Sequence, residues 1–317
     1  MNRLIAAATA LALLLPGCVP KRPTGSAGDP VPNAVLFDQT RDSAHPARNR
    51  QLAIPSGPVV PALGRPAEMN ALFFLAAGEG PKPTMLLLHG LPGNERNLDL
   101  AQAVRRAGWN VLTFTYRGAW GSEGTFSIQH AMADAQNALA FLRKPEIARE
   151  YGVDTSRIVV AGHSMGGMAA AVAAASSEPP LAGLILLDAW DIAVTAREVK
   201  AAGPAGRAGF IASFDDVGHS LGPITAADLA DNVIRRGEEW DLRALAPKLA
   251  WVPVLSVYAA HGIKVDNEAV IAALRAQPGA RVNPIEVNSD HSFADHRIAL
   301  AAEVVRWLQS IAQPNPR

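Results

Sequence analysis

The sequence predicts an α/β protein: one large domain built on a mostly parallel sheet with helices on both faces and a helical cap insertion. Two observations carry this expectation. From residue 68 onward, short apolar runs alternate with runs of helical periodicity, the pattern of strands joined by right-handed crossovers. Beyond an N-terminal region with little to bury lie about 270 residues, which suit one large α/β domain better than two complete ones.

Residues 1–18 read as an export signal. Arg3 precedes the apolar run from Leu4 to Leu15, too short to span a bilayer, and Leu15-Pro16-Gly17-Cys18 supplies small residues before a cleavage point. Cys18 is the only cysteine, so no intramolecular disulfide can form. Its position resembles the lipobox of bacterial lipoproteins, in which the cysteine is acylated after cleavage, although Pro16 departs from the residues commoner there. The expectation is a periplasmic or outer-envelope protein tethered to the membrane through a lipidated Cys18. An ordinary cleaved signal with an incidental cysteine is the alternative. Residues 19–50 follow as a tether and N-terminal extension; up to Pro32 they are rich in Pro, Gly, Lys and Arg, a composition that stays extended.

The domain is placed at 51–317. Strands are expected at 69–76 and 84–88, separated by the turn Gly78-Glu79-Gly80-Pro81. Leu98, Ala101, Val104 and Arg105 recur at helical spacing in 95–107, which ends at Gly108. Then come a strand at 110–115, a helix at 128–142, a strand at 158–161, a helix at 165–176 and a strand at 182–187. The alternation lapses over about 191–247, where helical pieces at 192–202 and 226–236 are joined by Gly- and Pro-rich turns. Such an insertion between sheet strands is expected to cap a site, although Phe210, Ile211, Phe214 and Trp240 would equally pad one face. A strand at 252–258, a helix at 267–276, a strand at 281–287 and a helix at 294–312 complete the order.

Within this order, Gly162-His163-Ser164-Met165-Gly166-Gly167 joins an apolar strand to an alanine-rich helix. A serine nucleophile on a sharp strand-to-helix turn needs small neighbours, because its strained backbone leaves no room for side chains at Gly162 and Gly166. The helix N-terminus then favours negative charge developing at Ser164. A dinucleotide-binding turn is the competing reading, but no Gly-x-Gly-x-x-Gly is present. Gly218-His219-Ser220-Leu221-Gly222 repeats the same string, yet it follows a poor strand and runs into Pro223, so Ser220 reads as a loop serine.

Acyl transfer also needs an oxyanion hole, a base and an orienting acid. Leu88-His89-Gly90-Leu91-Pro92-Gly93 follows a strand, and the N–H groups of Leu91 and Met165 are the expected oxyanion donors. His89 reads as a loop-shaping residue rather than the base. His291, in the loop between the last strand and the last helix, is placed to reach Ser164, whereas His296 falls about one turn into the helix.

Taken with Tyr116-Arg117-Gly118-Ala119-Trp120-Gly121 and Asp290-His291-Ser292-Phe293, these motifs resemble the α/β-hydrolase superfamily. More narrowly they are similar to bacterial proteins related to the catalytic domains of prolyl oligopeptidase and acylaminoacyl peptidase. The resemblance spans about residues 68–308. It implies the eight-stranded α/β-hydrolase fold, a serine hydrolase with Ser164 as nucleophile and His291 as base, and a structural Arg117. The chain has no room for a peptide-gating propeller, so peptidase specificity does not carry over. The acid departs from the pattern. The family places it soon after the strand ending near Tyr258, where this chain reads Ala259-Ala260-His261-Gly262-Ile263-Lys264-Val265-Asp266. Asp266 would have to curl back and is equally placed to cap the next helix; Asp188, after the preceding strand, is the other candidate, as some lipases show. Asp188 and its neighbour Asp191 also fit a polar strand end.

The expected function is an exported serine hydrolase acting on a small-molecule ester or small amide, with no metal or organic cofactor called for. Balanced charge, 29 basic and 29 acidic residues, gives no footprint for nucleic acid. The alternatives are an aminopeptidase-like enzyme, acyl transfer to an acceptor other than water, and a catalytically weak or inactive envelope binding protein.

Overall fold

A computed structural model describes residues 30–214 and 217–312. The eight strands are β1 (Arg48–Val60), β2 (Arg65–Leu75), β3 (Lys82–Leu88), β4 (Asn110–Phe114), β5 (Val153–His163), β6 (Gly183–Leu187), β7 (Pro253–His261) and β8 (Arg281–Asp290). They form one sheet in the order β1-β2-β4-β3-β5-β6-β7-β8. The β1/β2 and β2/β4 pairs are antiparallel and all others parallel.

The inner segments of the central strands, 85–88 in β3 and 158–161 in β5, are apolar because both of their faces are covered. In β3, Leu86 and Leu88 enter one core while Met85 and Leu87 enter the other; in β5, Ile158 and Val160 oppose Val159 and Ala161 in the same way. The first core lies under helices Ile128–Leu142 and Met165–Ala175, the second under Leu98–Arg106 and Arg297–Ala312. Ser127 caps the first of these helices by accepting the His130 N–H at 3.0 Å.

Arg117 is structural, as the resemblance implied. Its Nε donates to Asp134 Oδ1 at 2.7 Å and its backbone N–H to Asp134 Oδ2 at 2.9 Å, both residues being buried.

Seven strands fall where the sequence placed them, and β1 was not anticipated. It carries Pro55, Gly57 and Pro58 around a register shift between Pro55 and Val59, and only an edge strand tolerates such residues. The region up to residue 50, read as tether and extension, joins the fold from about residue 30. Val31 is buried, and Arg106 Nε donates to the Ala34 carbonyl at 2.6 Å. The signal segment, Cys18 and most of the tether lie outside the described residues.

Between β6 and β7 stand helices Ile192–Ala201, Gly203–Ala212, Ala226–Arg236 and Leu242–Leu249. The second and fourth fall in segments expected to be Gly- and Pro-rich turns; Pro204 occupies a helix start, where its missing N–H costs nothing. The insertion buries Phe210, Leu229, Val233 and Trp240 in the first core. It therefore pads that face. Its tip also reaches the loop after β4: Trp120 N–H donates to the Ser220 carbonyl at 2.8 Å, and Phe126 N–H to that of Gly222 at 3.2 Å. The second Gly-x-Ser-x-Gly string is this docking strip.

Candidate active site

Ser164 occupies the turn between β5 and helix Met165–Ala175 with φ 56° and ψ −122°. A side-chain-bearing residue holds that conformation only when its surroundings enforce it. The enforcement is close packing without side chains. A Cβ on Gly162 would lie 2.0 Å from the Gly166 carbonyl oxygen, and one on Gly166 would lie 2.4 Å from that of Leu88. The Ser164 N–H donates to the Leu187 carbonyl at 3.0 Å, and its own carbonyl accepts from Gly167 and Trp190 N–H groups at 2.9 and 3.0 Å.

The loop after β3 lies directly against this turn, because a Cβ on Gly90 would come within 2.9 Å of Ser164 Cβ. Leu91 is the next residue along that loop. Met165 opens the helix, so its N–H has no acceptor within the helix. His89 braces the loop: its Nδ1–H donates to the Gly90 carbonyl at 2.7 Å, while its own carbonyl accepts the Tyr116 hydroxyl at 3.1 Å. Burial pushes the His89 imidazole down to about 4.

His291 follows β8, and its Nδ1–H donates to Asp188 Oδ2 at 2.6 Å. That bond fixes the tautomer and leaves Nε2 as the acceptor. Asp188 follows β6, is fully buried and has φ 39°. Its carboxylate also accepts from the N–H groups of Ala259 and Ile263 and from Asn267 Nδ2, each at 3.2 Å. Four donors keep a buried carboxylate satisfied without water.

Of the two carboxylates weighed from sequence, Asp188 and not Asp266 therefore holds His291. Asp266 lies in the first turn of helix Lys264–Arg275, near Glu198, Arg243 and Arg197, and burial raises its pKa. That helix begins ahead of Asn267, which was expected to open it; Asn267 is instead buried and spans Asp188 and Ala189. Asp191 caps helix Ile192–Ala201 through the Ala193 N–H at 3.2 Å. His296 pairs with adjacent Asp295 at 2.9 Å, just before the last helix rather than within it.

One site residue escaped the sequence reading. His163 is buried, its Nε2–H donates to the His291 backbone carbonyl at 2.8 Å, and the two rings meet at a 41° tilt with centroids 4.7 Å apart. Burial first, and the neighbouring His291 second, push its pKa down to about 4. The Gly-x-Ser-x-Gly pattern leaves this position open, so only the tertiary contact reveals it.

Known proteins share this architecture. The Alpha/beta hydrolase family matches residues 85–307. The Alpha/beta hydrolase domain-containing protein WAV2 of Arabidopsis thaliana is 31% identical over 153 residues, 41% of this chain and 48% of that protein. The chain thus spans about half the length of the first curated relatives it matches. A Pyrobaculum calidifontis esterase superposes with a TM-score of 0.60 at 19% identity, covering 85% of this chain and 88% of the esterase. The Pyrococcus horikoshii acylaminoacyl peptidase gives a TM-score of 0.59 at 13% identity, covering 88% of this chain and 42% of the peptidase. At these identities the structural likeness speaks to the fold, and it is the match over most of the domain that places the chain in the alpha/beta hydrolase family.

Proposed function

We propose that the protein is a serine hydrolase that cleaves a carboxylic ester or small amide through an acyl-enzyme on Ser164. The carrying observation is the 2.6 Å hydrogen bond between His291 and the buried Asp188, together with a serine held in strained backbone geometry at a helix start. In this mechanism the Ser164 hydroxyl attacks the substrate carbonyl while His291 Nε2 takes its proton. The carbonyl oxygen becomes an oxyanion facing the Leu91 and Met165 N–H groups. The protonated His291 is stabilised by Asp188, gives the proton to the leaving alcohol or amine, and then activates the water that releases the acid. No step requires a metal or cofactor.

The feature that favoured a non-catalytic binding protein was the lack of an acid where the family places it, and Asp188 offers the missing partner from a different strand. We further propose export and lipidation at Cys18. In this reading the acyl chain supplies the anchor, and metabolic labelling with palmitate should be lost in Cys18→Ala.

A fluorophosphonate probe tests the hydrolase reading without a known substrate. The wild type and Ser220→Ala should label, and Ser164→Ala should not. A folded wild type that stays unlabelled would overturn it.

A further inference from the structure

A cavity of about 280 Å³ opens between the loop after β3 and the paired ends of β2 and β4, with Asn70, Leu72, Arg96, Thr113 and Trp120 in its wall. Its charge is one-sided. Arg96 is the only ionisable residue of the lining, and no acid faces it. Among the described residues Arg96 makes no ion pair, in contrast to Arg65, Arg117, Arg207 and Arg297. It is half-buried, and burial lowers its pKa because the guanidinium loses water without gaining a counter-charge.

The side chain is nonetheless held in place. Its guanidinium lies 4.4 Å from the Trp120 ring centroid, and Nε donates to the Gly93 carbonyl at 3.1 Å. That leaves the two terminal amino groups, whose planar geometry matches a carboxylate or phosphate. Trp120 is itself a fixed platform. It has φ 50°, its indole N–H donates to the Pro92 carbonyl at 2.8 Å, and its side chain stays 38% exposed. A strained backbone that holds an aromatic ring outward, beside an arginine without an ion-pair partner among the described residues, is an arrangement suited to a ligand.

We propose that this cavity binds a small organic or inorganic anion, its carboxylate or phosphate group gripped by Arg96 over the face of Trp120. The volume, at the small end for ligand pockets, restricts the occupant to a short molecule. Pro92 and Gly93, whose carbonyls hold Trp120 and Arg96, belong to the loop that also carries Leu91, so an occupant on Arg96 would contact that loop through this residue. The site does not depend on the hydrolase reading.

The test is a calorimetric titration of the full chain at low salt with succinate, with inorganic phosphate, and with succinamide as the uncharged analogue. Saturable binding of at least one anion is expected, with none for succinamide, and the two anion arms identify the preferred group. Affinity should fall about tenfold or more in Arg96→Gln and stay unchanged in Arg105→Gln, since the charged fork supplies the recognition. Absence of binding by either anion, or equal affinity in Arg96→Gln, overturns the proposal. Should Arg96→Gln fail to fold by circular dichroism, Arg96→Lys decides: it keeps the charge but loses the fork and the stacking plane, and unchanged affinity there overturns it. Hydrolysis of a neutral ester is measured separately, so neither result bears on Ser164.

Discussion

The ring of His163 lies against that of His291 at 4.7 Å, and its Nε2–H holds the His291 carbonyl at 2.8 Å. One buried imidazole thus ties the loop carrying the proposed base to the turn carrying the proposed nucleophile. Its other edge adjoins the oxyanion loop, since a Cβ on Gly90 would lie 3.3 Å from His163 Nδ1. With its pKa near 4, His163 is neutral at working pH and does not repel the imidazolium that forms on His291.

In the proposed mechanism His163 would act as a positioning residue. His163→Leu should lower kcat on a neutral ester about tenfold while KM moves little, because a displaced base loses alignment rather than substrate binding. His163→Gln, which can still donate to the carbonyl, should recover most of the loss. Equal losses in both variants, or a change confined to KM, would mean that the ring only fills space.

Asp188 and Asp266 give a sharper contrast. Asp188→Asn should reduce kcat/KM on the order of a thousandfold or more, since an amide can neither fix the His291 tautomer nor stabilise the imidazolium. Asp266→Asn, which removes no hydrogen bond to His291, should stay within about threefold. Steady-state kinetics on one chromogenic ester reads both, and a large effect at Asp266 would remove Asp188 from its role.

The two residues illustrate what was legible in the chain and what was not. Ser164 could be read locally because its requirements are local: a strand, two glycines and a helix start within a few residues. The paired acid could not, because Asp188 and His291 stand 103 residues apart and meet only when β6 and β8 flank β7. The strands of the sheet interior were visible as apolar runs, whereas β1 was hidden by Pro55, Gly57 and Pro58, which an edge tolerates. Helix Lys264–Arg275 starts early because no capping side chain marks its entry; Ile263 stands at the cap. The same shift places Asn267 under Asp188, a contact no periodicity could anticipate.

Stability should fall with acid in a specific window. His89 and His163 are buried and neutral in the fold, each with a pKa near 4 against 6.5 when exposed. Between those values the unfolded chain binds more protons than the native one, so stability rises with pH through that interval and is fully present above about pH 6.5. Each group contributes on the order of 3 kcal/mol at most over this range. Thermal melts between pH 7 and pH 4 should therefore decline steeply, and His163→Gln should flatten the decline. An unchanged slope in that variant would mean that the ring gains water or a partner when protonated.

Gly262 offers the most direct handle on the acid without altering it. A Cβ there would lie 2.0 Å from Asp188 Oδ2, the oxygen that receives the His291 proton donor. The carboxylate is pinned by its other donors, so Gly262→Ala must either displace it from His291 or push the Ala259–Ile263 loop away. The first route breaks the His291 hydrogen bond, and the second removes the Ala259 and Ile263 N–H donors that hold the carboxylate in place for it. The expected result is a loss of kcat/KM approaching that of Asp188→Asn, with a fall in stability of about 1–3 kcal/mol from overpacking. Gly162→Ala should cost more stability, because its Cβ would meet the Gly166 backbone oxygen at 2.0 Å and no side chain can rotate aside. The decisive comparison is the double variant. If Gly262→Ala acts through Asp188, adding it to Asp188→Asn should lower activity little further, a strongly non-additive cycle. Additive losses would mean that Gly262 matters to the site by a route other than the carboxylate.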